Sequence, residues 1–326
     1  MKIKFICPKC KKSFILPNCV SCGYNVPEFN SIFQFCNDKS IKLDGDNKYI
    51  GYDNIGENFE PGVTYWNIND TENYGVYEIC GTLIADNFGT DITVLDLGAG
   101  LGTASIPLAK NGISTIAADI SNIMLNTAVK RSKKQYNNLI FTKMNAYNLM
   151  ISDNSVDIVV ENAMLHLVDN PHDVIKEIVR VLKPNGKLIR YGSYSKPITD
   201  EEAKQNQYCN SVLTEISDKY YEYLLDHYEK PLWFDNHFHD YIGSYFNKPY
   251  KIFDKEYTEV FVDKLKFRLH RLKTGAHSDL QHINKTILDN AWEYADNYAI
   301  NKYGESYIDI KGFSKYGAMI EVYELI

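Results

Sequence analysis

Apolar and polar positions along this chain change their period several times, and each change marks an expected element. Residues 74–88 space their apolar side chains as a helix does. Short apolar, β-branched runs then alternate with helical stretches. The pattern predicts strands over 92–97, 114–119, 139–143, 156–160 and 186–191, with helices over 103–110, 121–135 and 171–182 between them. Ser121 stands where an N-cap is wanted, and Pro171 occupies a first-turn position. Such alternation calls for a mainly parallel sheet covered by helices on both faces. Beyond residue 195 the texture changes. A long helix is expected over 199–228, opened by the capping pair Thr199 and Glu202. A stretch rich in aromatics and histidine follows, with Trp233, Phe234, His237, Phe238, His239 and Tyr241. A strand pattern returns near 250–261, helices fill 262–303, and a last strand covers 317–325.

Upstream of the alternating region lie two further segments. Residues 1–37 are a compact, cysteine-rich unit, and 38–73 read as a linker or extended wrap, with Asp44-Gly45-Asp46-Asn47 as its most turn-prone run. At 326 residues the chain can hold one large α/β domain, assigned to 74–326, plus this small unit. No apolar run approaches the roughly 20 residues that span a bilayer, and residues 1–6 lack a signal-like apolar core. A cytoplasmic location with no membrane partner is the resulting expectation.

The net charge of -7 opposes a surface that is basic throughout, so no DNA partner is expected. The distribution is uneven, however. Lys2, Lys4, Lys9, Lys11 and Lys12 all precede the first acid, Glu28, and form either a solvated face or a patch for RNA phosphates. The solvated face is the favoured reading, because the chain as a whole is acidic.

The strongest chemical signal is Val94-Leu95-Asp96-Leu97-Gly98-Ala99-Gly100-Leu101-Gly102-Thr103. A buried strand ends in an acid, and alternate glycines carry the chain toward a helix. Glycine there permits a tight turn and close approach of backbone to a ligand. A nicotinamide loop would need Gly-x-Gly-x-x-Gly, whereas here the third glycine arrives one residue early. The acid within the motif suits a ligand bearing a positive ammonium and sulfonium better than a pyrophosphate. Asp119 ends the second strand, where a carboxylate can accept both hydroxyls of a ribose, and Ile120 beside it can cover an adenine face.

These motifs, with the segment 145–160 and Val181-Leu182-Lys183-Pro184-Asn185-Gly186, resemble those of class I S-adenosylmethionine-dependent methyltransferases over residues 74–195. The resemblance implies a Rossmann-like sheet that binds S-adenosylmethionine. It places Asp96, Gly98, Ala99 and Gly100 around the methionine part and Asp119 and Ile120 on the ribose and adenine. Asn145 and Ala146 would meet the adenine edge, where the family usually has an acid in the first position. After the fourth strand come Glu161 and Asn162, then His166. The carboxyl ends of strands line the ligand crevice, so Glu161 and Asn162 are expected to face the transferred methyl group, with Glu161 also touching the donor. Methyl transfer from an activated sulfonium asks mainly for alignment and, where needed, removal of a proton. Glu161 and His166 are the candidate catalytic bases, with His237 or His239 on a closing lid as alternatives. The absence of Asn-Pro-Pro-Tyr counts against methylation of an exocyclic amine of adenine or glutamine.

Cys7-Pro8-Lys9-Cys10 and Cys19-Val20-Ser21-Cys22-Gly23 form two Cys-x-x-Cys knuckles. Four thiolates in this spacing suit a closed, structural zinc site, and a reducing compartment disfavours disulfides. The unit is similar to small zinc modules that precede some bacterial methyltransferases, including certain ribosomal-RNA guanine methyltransferases. The expected fold is therefore a seven-stranded Rossmann-like class I methyltransferase sheet with a helical lid, about 197–249 and helices 262–303, behind a small zinc ribbon. The expected acceptor is a small molecule, since Asp200, Glu201, Glu202, Glu215, Asp218, Glu222, Asp226 and Glu229 make the lid acidic and repel phosphates. Residues from 250 onward loosely resemble small-molecule methyltransferases related to the trans-aconitate enzyme, with Lys266, Arg268, Arg271 and Lys273 as possible contacts to an acidic acceptor. Two other readings stay open. One is an RNA base methyltransferase that presents the basic zinc ribbon to RNA. The other is a non-catalytic protein-binding module that keeps the fold, against which stand the intact Asp96, Gly98, Gly100 and Asp119.

Overall fold

The computed structural model describes residues 3–36, 75–168, 170–228, 238–256 without 248 and 250, and 261–326 without 276, 278, 279, 281 and 282. The linker expected over 38–73, together with Trp233, Phe234 and His237, lies outside the described residues.

The cysteine-rich unit starts with a hairpin, β1 (Phe5–Ile6) against β2 (Ser13–Phe14), and continues through β3 (Glu28–Phe29) and β4 (Ile32–Gln34). Strands this short bury too little to stand alone. Their stability comes from what they pack on. β4 runs parallel to β7 (Leu139–Lys143) and so joins the main sheet. Phe5, Cys7, Phe14, Cys19, Val26 and Phe35 are buried in one core with Leu95, Leu97, Met144, Leu149 and Ile151 of the large domain. The unit is thus an extension of the sheet's edge, and the sheet has nine strands among the described residues where seven were expected.

Around β5 (Thr93–Leu97), the parallel strands are β6 (Ser114–Asp119) and β7 on one side, β8 (Val156–Glu161) and β9 (Leu182–Ser195) on the other. The final strand, β13 (Tyr316–Glu324), lies antiparallel along β9, and β10 (Lys251–Glu256) pairs antiparallel with β13. Because side chains alternate across a pleated strand, β5 feeds two cores. Val94 packs with Cys80, Leu83 and Ile84 of α1 (Val76–Phe88) and Leu108 of α2 (Ser105–Lys110). Leu95 and Leu97 face Val174, Ile175 and Ile178 of α4 (Pro171–Val181). Ser121 caps α3 (Asn122–Arg131) by accepting the Met124 N–H, and Pro171 opens α4.

The helical part assembles from two insertions far apart in sequence. α5 (Asp200–His227), opened by the Thr199–Glu202 capping box, packs on α7 (Leu265–Thr274) and α8 (Lys285–Tyr303) around Cys209, Ile216, Tyr220, Leu269 and Ala295. A short antiparallel strand pair within it, β11 (Phe261–Lys264) with β12 (Lys311–Ser314), replaces helix at positions read as helical from residue 262. α6 (Phe238–Gly243) lies against α4 instead. Among the described residues no helix is long and apolar enough to cross a membrane.

Candidate functional site

Strand order reverses between β5 and β8, which leaves a crevice beyond the carboxyl ends of the strands. A cleft of about 180 Å³ sits there, lined by the loops after β5, β6, β7 and β8 and by Tyr77 of α1. Its floor is the loop 98–102. Gly98 has φ +77°, and a Cβ built on it would come within 2.6 Å of the Met164 side chain. Gly100 has φ +51°, also in the left-handed region. Both positions need glycine, for conformation and, at Gly98, for space.

Asp119 holds this loop against the next one. Its carboxylate accepts the N–H groups of Gly100 and Ser121, each at 2.8 Å, while the Ala118 carbonyl accepts those of Gly98 and Ala99. Asp96, Ala99, Ile120, Asn145 and Ala146 line the same cleft, so the positions expected for donor contacts converge, with one exception. Asp96 is 3% exposed and accepts a hydrogen bond from Ser105 Oγ. Burial raises its carboxyl to about 7, the Ser105 bond opposes this, and the Asp119 charge adds to it. The Asn145 Oδ1 accepts the Tyr147 N–H at 3.0 Å, so toward a ligand this residue presents its amide N–H₂.

The exception is Glu161, which is fully buried and does not line the cleft. One carboxylate oxygen accepts the N–H groups of Met164 and Leu165 at 2.9 Å, and the other pairs with Arg190 at 3.0 Å. It shapes the loop over the cleft and is not available to a methyl acceptor. A strand-end acid faces a crevice only if its side chain is not consumed by the turn that follows. His166 is likewise absent from the cleft wall. Desolvation lowers its pKa against the pull of Glu161, with Arg271 and Arg190 adding to the lowering, so the ring is neutral at pH 7. His239 is exposed on α6, its ring beside that of Phe238.

Asn162, expected beside Glu161, does line the cleft, and Tyr77, not picked out from sequence, joins it there. Asn162 Nδ2 donates to the Tyr77 hydroxyl at 2.7 Å, which puts a polar pair on the cleft wall. Ala163, beside it, has φ +60°. A non-glycine residue held there marks a loop whose shape is over-determined by its surroundings. Tyr77 and Ser105 each stand in the first turn of a helix expected to pack on the sheet. That placement is the signal that could have found them.

A second, more polar cavity of about 500 Å³ lies between the helical part and the upper end of β9, with Lys196, Asn206, Asn210, Arg268, Arg271 and His277 in its wall. Arg268 is tied to Asp263 through Nε and Nη2, and to Asn206 and Asn210. Lys266 and Lys273 do not line either cavity.

At the sheet's far edge the four N-terminal thiols converge. Their Sγ atoms all lie within 4.8 Å of one another, with Cys7–Cys22 and Cys10–Cys19 at 3.6 Å. Tetrahedral zinc–thiolate bonds of ~2.3 Å place sulfurs about 3.8 Å apart, so the set fits a zinc ion. Each knuckle turns on a residue of positive φ just after its second cysteine, Lys11 and Gly23.

Residues 95–190 match the family model described as a methyltransferase domain, a stretch that holds the glycine loop, Asp119 and the loops that line the cleft. Among curated proteins the chain is 32% identical over 133 residues to a demethylmenaquinone methyltransferase of Paenarthrobacter aurescens, covering 40% of this chain and 51% of that one. It is 38% identical over 104 residues to a ubiquinone/menaquinone biosynthesis C-methyltransferase of Rickettsia prowazekii, covering 29% and 42%. The chain thus spans about half the length of the curated relatives it matches. A crystal structure of a SAM-dependent methyltransferase from Aquifex aeolicus aligns with 25% identity and a TM-score of 0.34, over 40% of this chain and 72% of that one.

Proposed function

We propose that this protein transfers the methyl group of S-adenosylmethionine to a small-molecule acceptor. The observation that carries the reading is the cleft itself, where a Gly98–Gly102 loop, a buried Asp96 and the strand-end Asp119 converge on one space. Asp96 faces the ammonium, Asp119 the ribose, and Ile120 with Ala146 the adenine, while the Asn145 amide donates to a ring nitrogen. Gly98, Ala99 and Gly100 let the backbone lie along the methionine chain. The donor is already activated, so alignment of acceptor and methyl supplies most of the acceleration. Of the pair expected there, Asn162 remains at the cleft, and with Tyr77 in place of Glu161 it orients the acceptor. Where a proton must leave, neutral His166 is the remaining base, reached after movement of the 162–168 loop.

The relatives named for quinone methylation support a small acceptor, as does the acidic α5. The four cysteines hold a structural zinc, because four thiolates close the coordination shell. The test is transfer of labelled methyl from the donor to fractionated cell extract. Label is expected in a low-molecular-weight product. Incorporation into RNA instead, through the exposed Lys9, Lys11 and Lys12, would overturn the acceptor assignment.

A further inference from the structure

The loop between β7 and β8 has two roles along its length. Residues 144–147 line the donor cleft, and residues 149–152 anchor the loop to its surroundings. One set of anchors comes from α4, where the Arg180 guanidinium donates to the carbonyls of Leu149 and Ile151 and Glu177 accepts the Leu149 N–H. The other set comes from the cysteine-rich unit. Ile6 N–H donates to the Met150 carbonyl at 2.9 Å, Ser152 N–H donates to the Lys4 carbonyl at 3.0 Å, and Ser13 and Ser152 share a hydroxyl hydrogen bond. At the loop's start, the Phe35 N–H donates to the Lys143 carbonyl at 3.0 Å. Phe35 stacks on Phe5 at 5.2 Å, and both are buried with Met144, Leu149 and Met150.

These contacts sit next to the metal ligands in the chain. Ile6 precedes Cys7, and Cys7 and Cys19 belong to the same core as the loop anchors. The two-residue strands β1 and β2 contribute little hold of their own, so metal binding free energy adds to their packing as folding free energy for the unit. We propose that the four-cysteine unit is a clamp on the β7–β8 loop, so that metal occupancy sets affinity for the adenosine part of the donor. This rests on the donor and zinc readings above. Without the clamp residues 149–152 keep one of their two sets of anchors, that from α4, and the loop samples competent and incompetent shapes. If the competent shape falls to a tenth of the population, apparent affinity falls about tenfold.

The experiment uses the full chain, reduced, with zinc bound, stripped by a chelator and restored. Metal content, the dissociation constant for S-adenosylhomocysteine by calorimetry, and amide hydrogen exchange are measured on each form. Stripping is expected to weaken binding about tenfold or more. It should release protection in 144–152 while strands 93–97 and 156–161 keep theirs, and added zinc should reverse both changes. Phe35→Ala, which leaves all four metal ligands in the chain, is expected to weaken binding in the same direction with zinc still bound. Unchanged affinity in both the stripped chain and Phe35→Ala would overturn the clamp. So would loss of protection throughout the sheet, which would make the metal a general stabiliser. A chain that takes up no zinc sinks the metal reading alone, and Phe35→Ala then decides the clamp. A chain that binds S-adenosylhomocysteine in no form sinks the donor reading.

Discussion

The Asp119 carboxylate accepts the Gly100 N–H at 2.8 Å, which ties the end of β6 to the glycine loop after β5. On the proposed donor reading the residue works twice. Its carboxylate would accept from the ribose, and its bond to Gly100 keeps the loop in the shape the donor would need. Asp119→Ala is expected to weaken S-adenosylmethionine binding by about 1.5–3 kcal/mol or more, roughly ten- to a hundredfold. Calorimetry checks this, and an unchanged dissociation constant would remove Asp119 from the donor site.

Glu161 offers a test that separates architecture from catalysis. It is buried and paired with Arg190, and breaking such a pair costs about 3 kcal/mol or more. Glu161→Gln is expected to lower unfolding stability on that scale, measured by denaturant titration. A general base would show the opposite signature, a collapse of kcat with stability intact.

Asp96 makes donor binding depend on pH. Burial holds its carboxyl at about 7, against 3.8 for the free group. A cationic ammonium prefers the ionised form, so donor affinity should rise as pH increases from 6 to 7.5. The sign for stability is reversed. Between about pH 4 and 7 the folded chain binds more protons at Asp96 than the unfolded chain does, so the ligand-free protein loses stability as pH rises through that window. Asp96→Asn is expected to abolish both trends, and to stabilise the ligand-free chain at pH 8 while weakening donor binding. Thermal unfolding and calorimetry across this range provide the check.

One zinc ion should accompany each chain, and Cys10→Ser should lose it. The variant is expected to show early loss of amide protection in residues 3–36. Metal analysis that finds none in protein purified reduced and without chelator would refute the site.

The order of elements from α1 through β9 was legible because apolar periodicity there is enforced by burial on both sheet faces. Strands 114–119 and 139–143 coincide with β6 and β7 to the residue, since neither can shift without exposing Ile116 or Phe141. The helical part was less legible. β11 and β12 lie 47 residues apart between Lys264 and Lys311, and neither is long enough to carry a period of its own. Tyr77 and Asn162 meet across 85 residues, a pairing that no local pattern encodes.

Sequence alone determined the glycine loop, the two strand-end acids that flank it and the four-cysteine set. Each depends on spacing within a few residues, and local backbone geometry turns that spacing directly into position. Tertiary structure decided which way side chains point once neighbours compete for them. Glu161 ends β8, as a cleft acid would end its strand, yet Arg190 from β9 and the N–H groups of Met164 and Leu165 claim both its oxygens. The cysteine-rich unit reads as a separate ribbon, yet β4 joins the sheet and Phe5 and Phe35 share its core. Burial of apolar surface is non-directional and rewards any partner the fold brings near, so such couplings exist only after the chain has closed.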